Sequence, residues 1–152
     1  MSENRSVAGK IVVGVDGSDP SRKAIHWAVR EARLRGAKLV AVHAWSYYPS
    51  LPSDSLDPML VTPDFNATLG RDAERFVQQE VEKISGDAGG IEIEAQAVEG
   101  PAASVLVDVA KDADLLVLGT RGHGGFTGLL LGSVSQQVSH HAQCPLVLVP
   151  HE

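Results

Sequence analysis

The chain has 152 residues, 43% of them hydrophobic and only 5% aromatic, with a formal net charge of −6. That length suits about one domain, and a core poor in aromatics must be built from Val, Leu, Ile and Ala, the mix of a parallel sheet covered by helices. The charge argues against nucleic acid and anionic membrane as partners, and the single cysteine, Cys144, excludes an intrachain disulfide.

Residues 1–9 are polar and read as a flexible N-terminus ahead of one domain over 10–152. No N-terminal apolar run resembles a signal peptide, and no stretch is long enough to span a bilayer, so the expected location is the cytoplasm. Lys10 to Asp16 is a β-branched run ending in Gly17-Ser18-Asp19-Pro20, a first strand and a turn. Ser18 or Ser21 is positioned to cap the helix that follows, with Pro20 in its first turn. Ala24, Ala28, Val29, Ala32 and Leu34 supply its apolar stripe, Arg and Glu its other face, and Gly36 its stop.

Lys38 to Ala44 reads as the second strand. Ser46 to Asn66 carries Pro49, Pro52, Pro58 and Pro63 without a sustained period, so a long, functional loop is expected. A charged helix from about Phe65 to Ile84 is broken by Gly86, Gly89 and Gly90. Ile91 to Val98 alternates strictly, the pattern of a half-exposed strand at a sheet edge. Pro101 opens a helix through Ala110, and Asp114 to Gly119 is the fourth strand. A helix from about Leu130 to His141 ends in His140-His141, where a cation suits the dipole. Cys144 reads as a small buried filler, and Leu146 to Val149 is a fifth strand.

Strict alternation of strands and helices predicts a doubly wound five-stranded parallel α/β sheet with right-handed crossovers. If its order is 3-2-1-4-5, the loops after strands one and four border the switch point where such sheets bind ligands. The second of those loops is Gly119-Thr120-Arg121-Gly122-His123-Gly124-Gly125, with Gly132-Ser133 beyond it. Glycines let backbone approach a phosphate, and the amides of a helix start point at it. Gly132 and Ser133, with the Ser133 hydroxyl, are candidate phosphate donors, and Val134 and Ser135 extend that first turn.

Val12-Val13-Gly14-Val15-Asp16-Gly17-Ser18, then Gly119-x-x-Gly122, nine residues and Gly132-Ser133, resembles the universal stress protein family over nearly the whole chain. The late motif matches the family's nucleotide-binding pattern without departure. The resemblance implies a Rossmann-like, ATP-binding homodimer, and some relatives take cyclic AMP. It makes Ala44 similar to the position that walls the base, beside Gly14 and Val15, whose backbone groups are placed to read the adenine edge. Asp16, at the end of the first strand, can accept from ribose hydroxyls or serve as a turn aspartate. Arg121 and His123 are the cations within the loop, either pairing with phosphate or facing solvent. His43 reads as a satisfied core histidine, and the six histidines and one cysteine show no metal-ligand spacing.

The chain has no G-x-x-x-x-G-K-[S/T] and no G-x-S-x-G. A site made mostly of backbone amides holds phosphate well and turns it over slowly, because phosphoryl transfer relies on cations and metal. The expected function is therefore an adenine-nucleotide-binding stress-response regulator, with ATP, ADP, AMP and cyclic AMP as alternative ligands. A magnesium ion near Asp16 is compatible with this. Two other readings stand beside it, a slow ATPase or phosphotransferase and a ligand-free interaction module. The bare apolar run Leu146–Val149 is the expected homodimer edge, and loop 46–66 the expected responsive element.

Overall fold

A computed structural model describes residues 9–46, 63–84, 89–120 and 131–150. The elements run β1 (Lys10–Gly14), α1 (Asp19–Arg35), β2 (Lys38–Trp45), α2 (Pro63–Glu82), β3 (Ile93–Glu99), α3 (Ala102–Val109), β4 (Leu115–Gly119), α4 (Ser133–His141) and β5 (Leu146–Val149). All strand pairs are parallel, in the order β3-β2-β1-β4-β5. The doubly wound sheet expected from the alternation of elements is therefore the observed one. β3 lies at one edge, as its alternating sequence requires.

Successive side chains of a strand point to opposite faces, and the buried residues sort accordingly. Ile11, Val13, Leu39, Ala41, Leu115 and Val117 pack under α1 and α2, while Val12, Val40, Val42, Leu116 and Leu118 pack under α3 and α4. The central strands β1, β2 and β4 are apolar on both faces because helices cover both. Cys144 is half-buried beside the second of these cores. Burial, and then the charge of Asp114, push its thiol pKa up.

The helix ends follow the chemistry read from the sequence. Ser18 is the N-cap of α1, accepting from Ser21 N, and Gly36 closes the helix in the left-handed region at φ 65°. Several boundaries and one face differ from expectation, among them β1 ending at Gly14 rather than Asp16 and α2 at Glu82 rather than Ile84. Leu34 is 82% exposed, because it lies about 200° round the helix from Ala32 and so leaves the apolar stripe. α2 begins at Pro63 rather than Phe65, since a proline's fixed φ suits the first helical position. β3 starts at Ile93, two residues later than the alternation suggests. α4 starts at Ser133, because Gly132 is extended (φ −68°, ψ 168°) and its amide is held by Thr120 O at 2.8 Å. Residues 47–62, the bulk of the expected responsive loop, lie outside the described residues.

α1 and α2 are tied by one buried carboxylate. Glu80, 3% exposed, accepts from Lys83 Nζ at 2.8 Å through Oε2. Arg22 Nε of α1 lies 3.4 Å from Oε1, an ion pair out of hydrogen-bond geometry that leaves Oε1 without a hydrogen-bond donor. Burial alone raises the carboxyl pKa, but Lys83 and Arg22 outweigh it and hold the group below the usual glutamate range. A depressed carboxyl stabilises the fold above its unfolded pKa and loses that contribution as pH falls through the folded value. Glu80→Gln is expected to cost about 1 kcal/mol at neutral pH, since both cations can return to water. In urea melts at several pH values, its gap from the parent should close below roughly pH 4.3, the unfolded glutamate value.

A candidate nucleotide cavity at the sheet's switch point

The order reverses between β1 and β4, and a cavity of about 270 Å³ opens there beyond the carboxyl ends of β1, β2 and β4. The apolar side chains Val42, Leu106 and Leu118 form part of its wall. The sequence-predicted residues Gly14, Val15, Asp16, Ala44, Gly119, Gly132, Ser133, Val134 and Ser135 all line it. Thr120 does not, because it is spent on structure: its amide donates to Val149 O at 3.0 Å and its carbonyl accepts from Gly132 N. Arg121, Gly122, His123, Gly124 and Gly125 lie outside the described residues. Among the described residues, no lysine or arginine lines the cavity.

The β1–α1 turn is wired by three side chains. Asp16 Oδ1 accepts from Ser18 N at 2.9 Å and from Ser18 Oγ at 2.5 Å, an aspartate turn that holds the capping serine. Ser18 Oγ accepts from Ser21 N, while Ser21 Oγ accepts from Asp16 N at 3.1 Å and donates to Gly14 O at 3.3 Å. Both serines are buried and fully engaged. Asp16 itself is exposed, and its Oδ2 has no partner among the described residues. The carboxylate thus serves the turn with one oxygen and presents the other at the cavity.

Two parts of the expected contact pattern change. Val15 N donates to Val42 O at 2.8 Å, and Val15 O meets His43 Nδ1 at 2.9 Å. Val15 therefore has no free donor with which to read a base edge. Gly132 N, tied to Thr120 O, is not a free donor either. The available amides belong to Ser133, Val134 and Ser135. They form the first turn of α4, where amides lack intrahelical acceptors, and Gly132 brings no side chain to cap them.

Gly119 is small for a reason other than phosphate approach. A Cβ there would lie 2.8 Å from the carbonyl carbon and oxygen of Pro20, so β4 can pass the start of α1 only without a side chain. Ser135 Oγ donates to Gly119 O at 2.8 Å and stitches α4 to the end of β4. His43 is half-buried rather than core, with its ring centroid 4.6 Å from that of Phe76. It is satisfied, as expected of a structural histidine, yet it also lines the cavity.

Sequence reasoning did not single out Ala102, Leu106 and Ser21 as cavity residues. The available signal was Pro101, which opens α3 and so brings a second helix start to the same place. Its side chain makes no cap, and Ala102 follows it into the cavity wall.

Fold and cavity together define a doubly wound α/β protein with a cavity at its switch point, faced by an uncapped helix start and a carboxylate. The chain belongs to the universal stress protein family, whose family model matches residues 8–150. It is 36% identical over 159 residues to universal stress protein Rv2623 of Mycobacterium tuberculosis, covering 100% of this chain and 50% of that protein. It is 33% identical over 140 residues to a universal stress protein of Mycolicibacterium smegmatis, covering 91% of this chain and 47% of the other. The chain therefore spans about half the length of the curated relatives it matches.

Among solved structures it resembles a universal stress protein in complex with cAMP, with TM-score 0.67 and 28% identity over 95% of this chain and 98% of that one. It also resembles the Archaeoglobus fulgidus universal stress protein in complex with dAMP, with TM-score 0.66 and 26% identity over 94% and 98% of the two chains. UspA of Lactobacillus plantarum shares the fold at TM-score 0.74, 24% identity and 94% and 98% coverage.

Gly119→Ala is expected to destabilise the protein by about 2 kcal/mol or more, because backbone rather than a flexible side chain must yield. Ser135→Ala, which removes one hydrogen bond without a clash, should cost about 1 kcal/mol. Thermal unfolding of the two variants checks that order.

Proposed function

We propose that this chain binds an adenine nucleotide in the switch-point cavity and acts as a stress-response regulator whose bound state alters what it presents to partners. The observation that carries the reading is the meeting, in one cavity, of the uncapped first turn of α4 and the free Oδ2 of Asp16. Helix-start amides with a favourable dipole suit phosphate oxygens. A carboxylate oxygen without a donor suits ribose hydroxyls. Ala44 and the apolar wall suit a base. The solved relatives with cAMP and dAMP support the same ligand class.

In this reading Ser133, Val134 and Ser135 hold phosphate through their amides, and Gly122, Gly124 and Gly125 leave room for it. Arg121 and His123 add charge from the glycine loop. ATP, ADP, AMP and cyclic AMP share the base and ribose contacts. Magnesium fits as an ion carried in by the phosphates. Asp16 is the only carboxylate among the described lining residues, and a lone carboxylate suits contact through water better than a dedicated cage.

Isothermal titration calorimetry with ATP, ADP, AMP and cyclic AMP tests the proposal. Saturable heat with at least one of them is expected, and Asp16→Ala should weaken binding about tenfold, the loss of a charge-assisted hydrogen bond or two. Absence of heat with all four overturns the reading.

The same reading includes a two-fold homodimer through β5. Within one chain β5 pairs only with β4. The carbonyls of Pro145 and Val149 face β4, as acceptors from Leu116 N and Thr120 N, so by alternation Leu146 and Leu148 turn their backbone groups outward. Sedimentation at micromolar concentration should show a dimer, and Leu148→Pro, which removes an outward amide, should shift it to monomer. A parent protein that sediments as a monomer refutes the dimer and leaves the nucleotide reading standing.

A further inference from the structure

Among the described residues, α1 carries a cluster of cations outside the switch-point cavity. That helix carries Arg22, Lys23, Arg30, Arg33 and Arg35 against only Asp19 and Glu31, in a chain of net charge −6. Arg22 and Arg35 are neutralised locally, by Asp19 and Glu80 in the first case and Glu31 in the second. Arg30 and Arg33 have no ion-pair partner among the described residues, and His26 has none either.

His26, Arg30 and Arg33 border a groove. An open cavity of about 700 Å³ is lined by Lys23, His26, Trp27, Arg30, Arg33 and Val149. The spacing of 23, 26, 27, 30 and 33 puts the helix residues on one face. Trp27 is half-buried, and its packing against the core gives the groove an apolar floor with Val149. The far wall is Gly89, in the left-handed region at φ 59°. A Cβ there would lie 2.5 Å from Arg33 Nε, so the missing side chain is what lets the Arg33 side chain lie across this backbone. One turn on, Leu34 stands 82% exposed.

We propose that this groove docks an extended acidic segment of a partner protein, with acidic side chains on Arg30 and Arg33 and apolar ones on Trp27, Val149 and Leu34. Charge complementarity sets the sign of the partner, because arginines without an ion-pair partner among the described residues favour bidentate contact with carboxylates. The apolar floor sets its kind. A small oligophosphate has no use for Trp27, Val149 or Leu34, and nucleic acid meets the repulsion of the remaining surface of an acidic chain. The length fits as well. From Lys23 to Arg33 the helix rises about 15 Å, the span of four or five residues of extended chain.

The test uses the full chain with Trp45→Phe, which leaves Trp27 as the sole tryptophan reporter. A synthetic peptide alternating glutamate and valine is titrated against its emission, beside the same peptide with glutamine for glutamate, tripolyphosphate and duplex DNA. A saturable change with the glutamate peptide alone is expected, weakening with salt. Adding Arg30→Glu and Arg33→Glu should weaken it about tenfold or more, while Arg35→Glu, a paired cation off the groove, should leave it unchanged. Equal binding of the glutamine peptide, tighter saturation by tripolyphosphate or DNA, or indifference to the Arg30 and Arg33 changes overturns the proposal. So does loss of self-association in the Arg30→Glu, Arg33→Glu protein by sedimentation, which would assign the face to a second copy of the chain.

Discussion

Everything at the ligand end of this protein depends on how β1 turns into α1. The turn is closed by a relay in which Asp16 holds Ser18, Ser18 caps Ser21, and Ser21 bonds back to Gly14 and Asp16. A buried serine is tolerated only when its hydroxyl is used on both sides, and both serines meet that condition. The relay fixes where α1 begins. The start of α1 in turn sets Pro20 against Gly119, which fixes where β4 may end. Ser135 then takes Gly119 O as its acceptor, so the first turn of α4 is located by the same chain of contacts. A ligand held between Asp16 and α4 would bridge two ends of one continuous hydrogen-bonded and packed unit.

That continuity explains why Asp16 can do two things. A carboxylate that capped a helix with both oxygens would be spent. Here Ser18 performs the capping, and Asp16 needs only Oδ1 to hold Ser18 in place. The turn aspartate and the ribose acceptor, which look like competing roles in the sequence, are compatible because they use different oxygens of one group. The same division applies along the backbone. The Gly132 amide is spent on the Thr120 carbonyl, and the amides of the three residues after Gly132 are left open.

The sheet order was legible because period and alternation survive in the sequence. β-branched runs such as Ile11 to Val15 have no helical period, and five of them separated by helices admit few topologies. The cavity's membership was legible for the same reason, since topology alone brings the ends of β1 and β4 together. What was not legible is why a given small residue is small. Gly119 belongs to a glycine-rich motif, yet its own constraint is the backbone of Pro20, about a hundred positions away. Spacing along the chain carries no information about such a contact. Val15 shows the same limit, because its donor is consumed by Val42 O across the sheet. Leu34 failed for a simpler reason: an apolar residue two places past the stripe was counted into it. The basic face of α1 was visible as charge, but only the fold shows which arginines have partners.

The distribution of positive charge follows from these constraints. Among the described residues, the switch-point cavity draws its positive potential from oriented peptide amides rather than from cationic side chains. Oriented amides at a helix start suit phosphate oxygens without a cationic side chain. Where the described residues concentrate arginine without ion-pair partners, on α1, the groove has an apolar floor of Trp27 and Val149, which suits a polypeptide better than a phosphate. The two surfaces are linked through one helix. The first turn of α1 carries the relay that shapes the switch-point cavity, and its later turns carry Arg30 and Arg33.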